Sequence, residues 1–256
     1  MGKIISIFNQ KGGVGKTTTA INLSAGVGRK GSKVLLVDLD PQGNTTSGLG
    51  IDKNSLDNNI YDVIMGEISI KDIILETSAK NVDIIPSGIE LSGIELELSE
   101  EKWQYKLKDM LDIIEETYDF IFVDCPPTLG ITSLMGLIAS DFVLIPIQAE
   151  FYALEGTGQL LSTLNMVRSN YNKDLVVLGV IMTMYDARTR LASDVLNEVK
   201  KVFGDLIFNT KISRNVRLAE APSYGQSIFD YDRISKGSWD YNALSKEFLN
   251  MVKKYD

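Results

Sequence analysis

The chain has 256 residues with 44% hydrophobic content, enough to bury a full core, and we expect a single domain over residues 1–256. Its 26 Lys and Arg against 34 Asp and Glu give a formal net charge of −8, which by itself argues against a nucleic-acid partner. One cysteine and no histidine exclude an internal disulfide, a zinc site built on cysteine pairs or histidine, and a histidine general base.

The N-terminal residues lead directly into the first predicted strand, Ile4–Phe8, which leaves no room for a signal peptide. The sequence also contains no run of about 18 apolar residues, so it predicts no transmembrane helix. We therefore expect a cytoplasmic protein whose chemistry depends on carboxylates, lysines, backbone amides and Mg²⁺.

A glycine-rich segment joins this strand to the predicted helix Lys16–Arg29. It reads Gln10-Lys11-Gly12-Gly13-Val14-Gly15-Lys16-Thr17-Thr18. The glycines let backbone N–H groups converge on phosphate oxygens, Lys16 places an ammonium against the β and γ phosphates, and the Thr17 hydroxyl can ligate Mg²⁺. Since the helix adds its positive end, the segment predicts a nucleotide phosphate site.

The segment departs from the usual phosphate loop in two places. Gln10 stands where the pattern G-x-x-x-x-G-K-[ST] has its first glycine, and Lys11 adds a second cation. Because one bound triphosphate does not need both lysines, the surplus charge suggests that Lys11 serves a nucleotide bound by another subunit.

Two carboxylates follow the second predicted strand, Val34–Val37. By strand alternation Asp38 and Asp40 point to the same side. Such a pair can hold an attacking water near the γ phosphate and contact the water shell of the metal. The alternative is a solvated loop carboxylate or a helix cap. The segment Pro41–Gly50 after them is predicted as a loop.

A third carboxylate, Asp124, ends the predicted strand Phe120–Val123 and resembles a Walker B aspartate. A buried carboxylate is costly without a partner, and Mg²⁺ would supply one. Pro126 and Pro127 then predict a rigid turn that could register the γ phosphate. Cys125 is interpreted as a small buried residue.

The whole pattern is that of an α/β protein with a doubly wound, mostly parallel sheet covered by helices on both sides. The remaining predicted strands are Val82–Ile85, Phe142–Ile147 and Val176–Met182. The remaining predicted helices are Trp103–Glu116, Ala153–Ser169, Ala192–Phe203 and Tyr241–Val252.

Basic residues outnumber acidic ones late in the chain, over residues 186–236. Two short segments, Tyr185–Arg190 and Lys211–Arg217, hold five of them. On one surface they would suit sequence-independent contacts to a phosphate backbone. An ordinary solvated face or intramolecular ion pairs would explain them equally well.

With these segments together, the chain resembles the ParA family of chromosome and plasmid partition ATPases, and its short Soj-type members in particular. The resemblance covers essentially the whole length. The segments that carry it are Gln10–Thr18, Val34–Gly50, Phe120–Pro127, Met184–Arg188 and Arg214–Gly225.

The resemblance implies a Mg²⁺-dependent P-loop ATPase that forms a face-to-face homodimer around two ATP molecules. The residues from Gly12 to Thr18 would bind ATP, and Lys11 would reach the nucleotide of the partner. Asp40 would position or activate the hydrolytic water, and Asp124 would hold Mg²⁺ through water while Thr17 ligates it.

Further roles are implied for residues on other surfaces of the chain. Gly12 would lie at the dimer interface, where a larger side chain would block closure. Arg188 and Arg217 match arginines that bind DNA nonspecifically in similar proteins. Asn215 matches a segment that contacts adenine, although Ser213 stands where relatives often have proline.

In similar proteins the ATP-bound dimer spreads on the nucleoid, and a ParB-type centromere-binding partner stimulates hydrolysis. The implied localisation is cytoplasmic and nucleoid-associated, with no membrane partner. Intrinsic turnover should be slow, because the sequence shows no arginine finger.

Three alternatives share parts of this pattern. A MinD-like regulator of division-site placement would end in a basic amphipathic membrane anchor, whereas Tyr241–Val252 is interpreted as a helix packed on the domain. An electron-transfer ATPase like the nitrogenase iron protein needs two cysteines per chain, and only Cys125 is present. A nucleotide-gated binding module with incidental hydrolysis is the non-enzymatic alternative.

Overall fold

The computed structural model describes residues 2–98, 102–150 and 155–255, and a seven-stranded sheet forms its centre. The strands are β1 (Lys3–Ile7), β2 (Val34–Asp38), β3 (Leu75–Glu76), β4 (Val82–Ile85), β5 (Phe120–Asp124), β6 (Phe142–Gln148) and β7 (Val176–Thr183). Their order is β3-β4-β2-β5-β1-β6-β7. All neighbours are parallel except β3, which runs antiparallel to β4.

Helices cover both faces of this sheet. They are α1 (Lys16–Gly28), α2 (Asn44–Gly48), α3 (Ile60–Met65), α4 (Ile94–Glu97), α5 (Lys106–Asp112), α6 (Ile131–Ala139), α7 (Glu155–Asn170), α8 (Arg190–Phe203), α9 (Val216–Glu220), α10 (Ile228–Tyr231) and α11 (Lys236–Val252).

Strand β2 shows why the sheet is covered on two sides, because every residue of it is buried. Leu35 and Val37 pack into the core formed with α3 and α5 to α8, whereas Val34 and Leu36 pack into the core formed with α1, α10 and α11. Side chains alternate along a strand, so a run that is apolar at every position needs a helical layer on each face. The predicted doubly wound architecture is confirmed.

The predicted helix bounds were less accurate than the predicted strands. The segment predicted as the helix Trp103–Glu116 is a 3₁₀ turn at Trp103–Tyr105, then α5, then a 3₁₀ turn at Glu115–Thr117. Helix α2 lies inside the predicted loop Pro41–Gly50, and α6 was not predicted at all. The predicted helix start at Ala153 lies outside the described residues.

The C-terminal helix α11 packs on the domain, as the sequence predicted. Leu244, Phe248 and Val252 are buried, and Leu249 packs partly against the same core. The Phe248 ring lies 5.4 Å from the ring of Phe120 and 5.3 Å from that of Phe122. The apolar face of α11 is therefore used inside the protein. In the part of the chain that is described, no helix is both long and apolar enough to span a bilayer.

Candidate nucleotide-binding site

The chemistry-bearing segments meet at the carboxyl edge of three adjacent strands. In the sheet β5 lies between β1 and β2, and the register places Asp124 beside both Ile7 and Asp38. The loop that follows β1, the carboxylates at the end of β2 and the carboxylate at the end of β5 therefore lie together. In parallel α/β sheets this edge is where ligands bind.

Two side chains, those of Asn9 and Thr183, fix the glycine-rich loop. The Asn9 amide donates to the Pro146 carbonyl (2.8 Å) and accepts from the Lys11 N–H (3.0 Å). The Thr183 hydroxyl donates to the Val14 carbonyl (2.8 Å). Gly13 and Gly15 have φ values of 73° and 90°, which only glycine adopts without strain. The loop is thus held in one shape by β1, β6 and β7.

This shape fits an anion. Gly15 precedes the first helical residue, Lys16, and no side chain caps the N-terminus of α1. The first N–H groups of a helix have no partner within it, so here they remain available to phosphate oxygens. Thr17 and Thr18 follow in the same turn. The loop and helix start predicted as a phosphate site therefore have the required geometry.

The two loop lysines differ in burial. Lys16 is 7% exposed, and its ammonium donates to the Lys11 carbonyl (3.1 Å). Burial lowers the pKa of Lys16, although Asp124 and Asp40 partly oppose the shift by stabilising the ammonium. Lys11 is only partly buried at the outer end of the loop. An ammonium placed inside the loop suits the nucleotide of its own chain.

Asp124 was predicted to act with Thr17 in holding Mg²⁺. The Thr17 hydroxyl donates to Asp124 Oδ2 (2.8 Å), and the Thr45 hydroxyl donates to the same oxygen (2.6 Å). Asp124 Oδ1 is buried without a hydrogen-bond partner. A hydroxyl that donates to Asp124 keeps lone pairs for a cation, and the unpartnered oxygen can accept from metal-bound water. The residues present therefore fit a hydrated Mg²⁺.

The interpretation of Asp38 as half of a water-holding pair was wrong. Asp38 is fully buried, and its carboxylate accepts from the Thr46 N–H (2.9 Å), the Thr46 hydroxyl (2.8 Å) and the Asp40 N–H (3.1 Å). Its oxygens are occupied by the protein itself. Asp40 is partly exposed, and its carboxylate accepts from the Gln42 N–H (3.0 Å). Of the two, only Asp40 can meet solvent or substrate.

Burial shifts both inner carboxylates in the same direction. It raises the pKa of Asp38 to about 7, with the charge of Asp124 adding to the effect. It raises the pKa of Asp124 to about 6 against the hydrogen bonds from Thr45 and Thr17. Burial also raises the pKa of the Cys125 thiol to about 12, in agreement with its interpretation as an inert buried residue.

These shifts predict that the nucleotide- and metal-free protein is less stable at pH 8 than at pH 5.5. Between the ordinary pKa of 3.8 and the raised folded pKa, an Asp side chain keeps its proton in the folded protein but loses it in the unfolded chain. The stability that this contributes is fully present below about pH 4 and is lost as the pH rises to the folded pKa. We expect a loss on the order of 2 kcal/mol in the free energy of urea unfolding in EDTA. Because the chain has no histidine, few other side chains titrate in this window. A flat or rising stability would contradict the shifts.

Asn215 lines a cleft beside the phosphate loop. The cleft has a volume of ≈ 300 Å³ and is also lined by Gly15, Thr18 and Met184. The Asn215 side chain accepts from the Arg217 N–H (2.8 Å) and so caps α9. The predicted adenine-contacting residue thus lies next to the phosphate site, and its carbonyl oxygen is already used.

The two late basic segments lie side by side. Tyr185 pairs with Ser213 in an isolated parallel bridge, and the Tyr185 N–H donates to the Ile212 carbonyl (2.9 Å). Within these segments the predicted DNA-binding arginines are paired with acids. Arg188 makes two hydrogen bonds to Asp186 (2.9 and 2.7 Å). The structure therefore brings the two segments together at Tyr185 and Ser213 and also contains the intramolecular ion pairs of the alternative interpretation.

Arg217 takes part in a larger group of ion pairs and hydrogen bonds. Its guanidinium donates to Glu220 (2.8 Å) and lies 3.5 Å from Asp232, and Glu220 also accepts from the Tyr231 hydroxyl (3.1 Å). All these groups remain partly exposed. Exposed ion pairs are weak because solvent screens the charges, so a phosphate could replace the acid at little cost.

Several site residues were not found from the sequence. Thr45 and Thr46 bind the two buried carboxylates from α2, and Thr183 holds the phosphate loop from β7. Thr46 lies eight residues after Asp38 in a segment predicted as a loop. The only available signal was the pair of adjacent threonines in a segment next to the predicted site.

Comparison with known proteins gives consistent results. A family model described as an AAA domain (AAA_31) matches residues 2–177. The sporulation initiation inhibitor protein Soj of Bacillus subtilis (strain 168) is 50% identical over 248 residues, covering 96% of this chain and 98% of that protein. The chromosome-partitioning ATPase Soj of Treponema pallidum (strain Nichols) is 47% identical over 250 residues, covering 97% and 98%.

A solved structure agrees along the whole chain. The structure of cobyrinic acid a,c-diamide synthase from Mycobacterium smegmatis with bound ADP and magnesium has a TM-score of 0.88 and 33% sequence identity. The match covers 100% of this chain and 97% of that one. The sequence relatives and the solved structure thus each match this chain over nearly its whole length.

Proposed function

Since this chain belongs to the family of Soj and ParA chromosome-partitioning ATPases, we propose that it binds and hydrolyses ATP with Mg²⁺ to segregate DNA. The main observation behind this proposal is that Lys16, Thr17 and Asp124 lie together at one edge of the sheet. They lie there beside the N-terminus of α1, which no side chain caps. A buried cation, a hydroxyl and a carboxylate with one unpartnered oxygen are the groups that a nucleotide triphosphate with its metal requires.

In this proposal the backbone N–H groups from Gly13 to Thr17 hold the phosphates, and Lys16 neutralises charge on the β and γ phosphates. Thr17 and Asp124 would hold Mg²⁺, which when bound offsets the charge that develops on the phosphate oxygens during phosphoryl transfer. Asp40, the partly exposed carboxylate, positions the hydrolytic water.

The proposal extends to dimerisation, DNA binding and stimulation by a partner protein. Two chains form a sandwich around two ATP molecules, with Gly12 at the interface and Lys11 reaching the nucleotide of the partner. Each chain acts as one domain and contributes Arg188 and Arg217 to a nonspecific DNA surface, so dimerisation doubles the number of phosphate contacts in an acidic protein. A ParB-type partner completes the site and stimulates hydrolysis, which leads to release from the nucleoid.

The test is binding to nonspecific duplex DNA with ATP, ADP or no nucleotide, at two salt concentrations, for wild type and Asp40→Ala. We expect salt-sensitive binding that requires ATP and persists in Asp40→Ala, while ATP turnover of that variant falls by about 10²-fold or more. An absence of DNA binding with every nucleotide, or normal turnover by Asp40→Ala, would contradict the proposal.

The same DNA-binding experiment tests the two proposed DNA-binding arginines against a control arginine. Arg188→Ala and Arg217→Ala should each lower the slope of log K against log salt by about 1 for every phosphate that the arginine neutralises. Arg190 lies two residues from Arg188, carries the same charge and pairs with Asp194. Arg190→Ala should leave the slope nearly unchanged, and an equal effect of all three would indicate a diffuse charge effect instead.

A further inference from the structure

Two consecutive threonines of helix α2 donate hydrogen bonds to the buried carboxylates of Asp38 and Asp124. The Thr45 hydroxyl donates to Asp124 (2.6 Å), and the Thr46 hydroxyl and N–H donate to Asp38 (2.8 and 2.9 Å). Both threonines are fully buried. Hydrogen bonds are electrostatically stronger in a buried, low-dielectric environment than in water, so α2 has a defined place against the sheet edge.

The position of α2 fixes the loop that carries Asp40. That loop leaves β2 with the Leu39 N–H donating to the Asp124 carbonyl (3.0 Å) and the Asp40 N–H donating to Asp38 (3.1 Å). It turns at Gly43, whose N–H donates to the Asp40 carbonyl (2.8 Å), and it enters α2 directly. The backbone at Asp40 is thus anchored on one side by β2 and on the other by α2.

Asp124 is the point where this loop meets the proposed metal site. Its Oδ2 accepts from Thr17, the proposed Mg²⁺ ligand, and from Thr45, while Oδ1 has no partner. Two donors on one oxygen fix the rotation of the carboxyl group and leave the other oxygen as the acceptor for metal-bound water. Without Thr45, the hydroxyl of Thr17 would be the only one of these two donors left to hold the Asp124 carboxylate.

We infer that Thr45 is a positioning residue that orients Asp124 for hydrated Mg²⁺ and couples occupancy of the metal site to the loop carrying Asp40. The inference rests on the proposed Mg²⁺–ATP function and extends it. Groups that orient a metal-binding residue typically change metal affinity by about 10- to 100-fold when removed. The buried Thr45 hydroxyl donates to Asp124, so its effect passes through Asp124 and through the backbone of α2.

The experiment compares Thr45→Val, which keeps the side-chain shape and removes the hydroxyl, with Thr45→Ser, which keeps the hydroxyl. The measured quantity is the gain in affinity for a fluorescent ATP analogue when EDTA is replaced by Mg²⁺. Thr46→Val is the matched control, because it removes the neighbouring buried hydroxyl, which binds Asp38 instead of Asp124. Thermal unfolding checks that each variant is folded, and Thr45→Ala replaces Thr45→Val if the latter is not.

We expect the Mg²⁺-dependent gain to fall about tenfold in Thr45→Val and to remain in Thr45→Ser and Thr46→Val. Hydrogen exchange should show that Mg²⁺ with nucleotide protects residues 40–48 in wild type but not in Thr45→Val. An unchanged gain in Thr45→Val, or an equal loss in Thr46→Val, would overturn the inference while leaving the ATPase function intact. A wild-type protein that does not bind the analogue at all would instead contradict the proposed function.

Discussion

Lys16→Ala is expected to lose nucleotide binding, whereas Lys11→Ala, the same change five residues earlier, is expected to keep it and to lose turnover. The Lys16 ammonium is buried inside the phosphate loop, where it donates to the Lys11 carbonyl and faces the charge of Asp124. Each hydrogen bond from it to a phosphate oxygen is worth about 1.5–3 kcal/mol, or about 10- to 150-fold in affinity.

The comparison uses Mg²⁺-dependent binding of a fluorescent ATP analogue and the rate of ATP hydrolysis at saturating ATP. Lys11 lies at the partly exposed end of the loop, so its removal should leave binding within a small factor of wild type. If Lys11 acts on the nucleotide of the partner, its removal affects only the assembled dimer. Equal losses of binding in the two variants would show that both lysines serve the same nucleotide.

Because the Lys16 ammonium is buried, Lys16→Ala should lose nucleotide binding without a loss of folding stability. Desolvation lowers the pKa of Lys16, so the empty protein is not stabilised by burying this charge. Lys16→Ala should therefore unfold at the same temperature as wild type or at a higher one. A large fall in unfolding temperature would mean that the variant fails to bind because it fails to fold.

The central strands were predictable because their residues are apolar at every position. Val82–Ile85 was predicted without error, and β2 and β5 differ from prediction only by the terminal aspartate that begins the site. Strand β3 has two residues, too few to show any period, and it was missed. Long buried strands thus carry a strong signal, whereas edge strands depend on the neighbour that they pair with.

Two missed helices show different limits of sequence interpretation. Helix α6 has the sequence ITSLMGLIA and is buried along most of its length, so it has no polar face to mark a helical period. Helix α2 has the sequence NTTSG, with poor helix propensity throughout. It forms because Asp38 and Asp124 accept from its threonines, and these hydrogen bonds depend on the tertiary fold.

The misassigned role of Asp38 has the same origin. Strand alternation correctly indicates on which side of the sheet a carboxylate lies, but it does not indicate which chain segment covers that side. Thr46 covers Asp38 and leaves Asp40 as the partly exposed carboxylate. The placement of Asp124 beside Thr17 was predictable, because parallel strands bring their carboxyl ends to one edge.

Gly12→Val is expected to give a folded monomer that binds ATP and does not dimerise. A Cβ built at Gly12 meets no atom within 4 Å, and the residue is exposed. In contrast, Gly13 and Gly15 have positive φ values, so a side chain at either would strain the loop itself. Gly12 is thus a loop glycine at which added bulk is compatible with the single chain.

The effect on assembly should be large because a two-fold interface meets the same substitution twice. Overpacking costs about 1–3 kcal/mol per site, so a symmetric dimer would lose about 2–6 kcal/mol, which is about 30-fold to 10⁴-fold in affinity. Light scattering with ATP would measure the dimer, and Gly12→Ala should show a smaller loss. DNA binding should fall together with dimerisation, because the proposed DNA surface needs both chains. Since Gly12→Val keeps its bound Mg²⁺–ATP, loss of nucleotide would not explain that fall. A Gly12→Val protein that dimerises normally with ATP would place the interface elsewhere and contradict the assignment of the neighbouring Lys11 to the nucleotide of the partner.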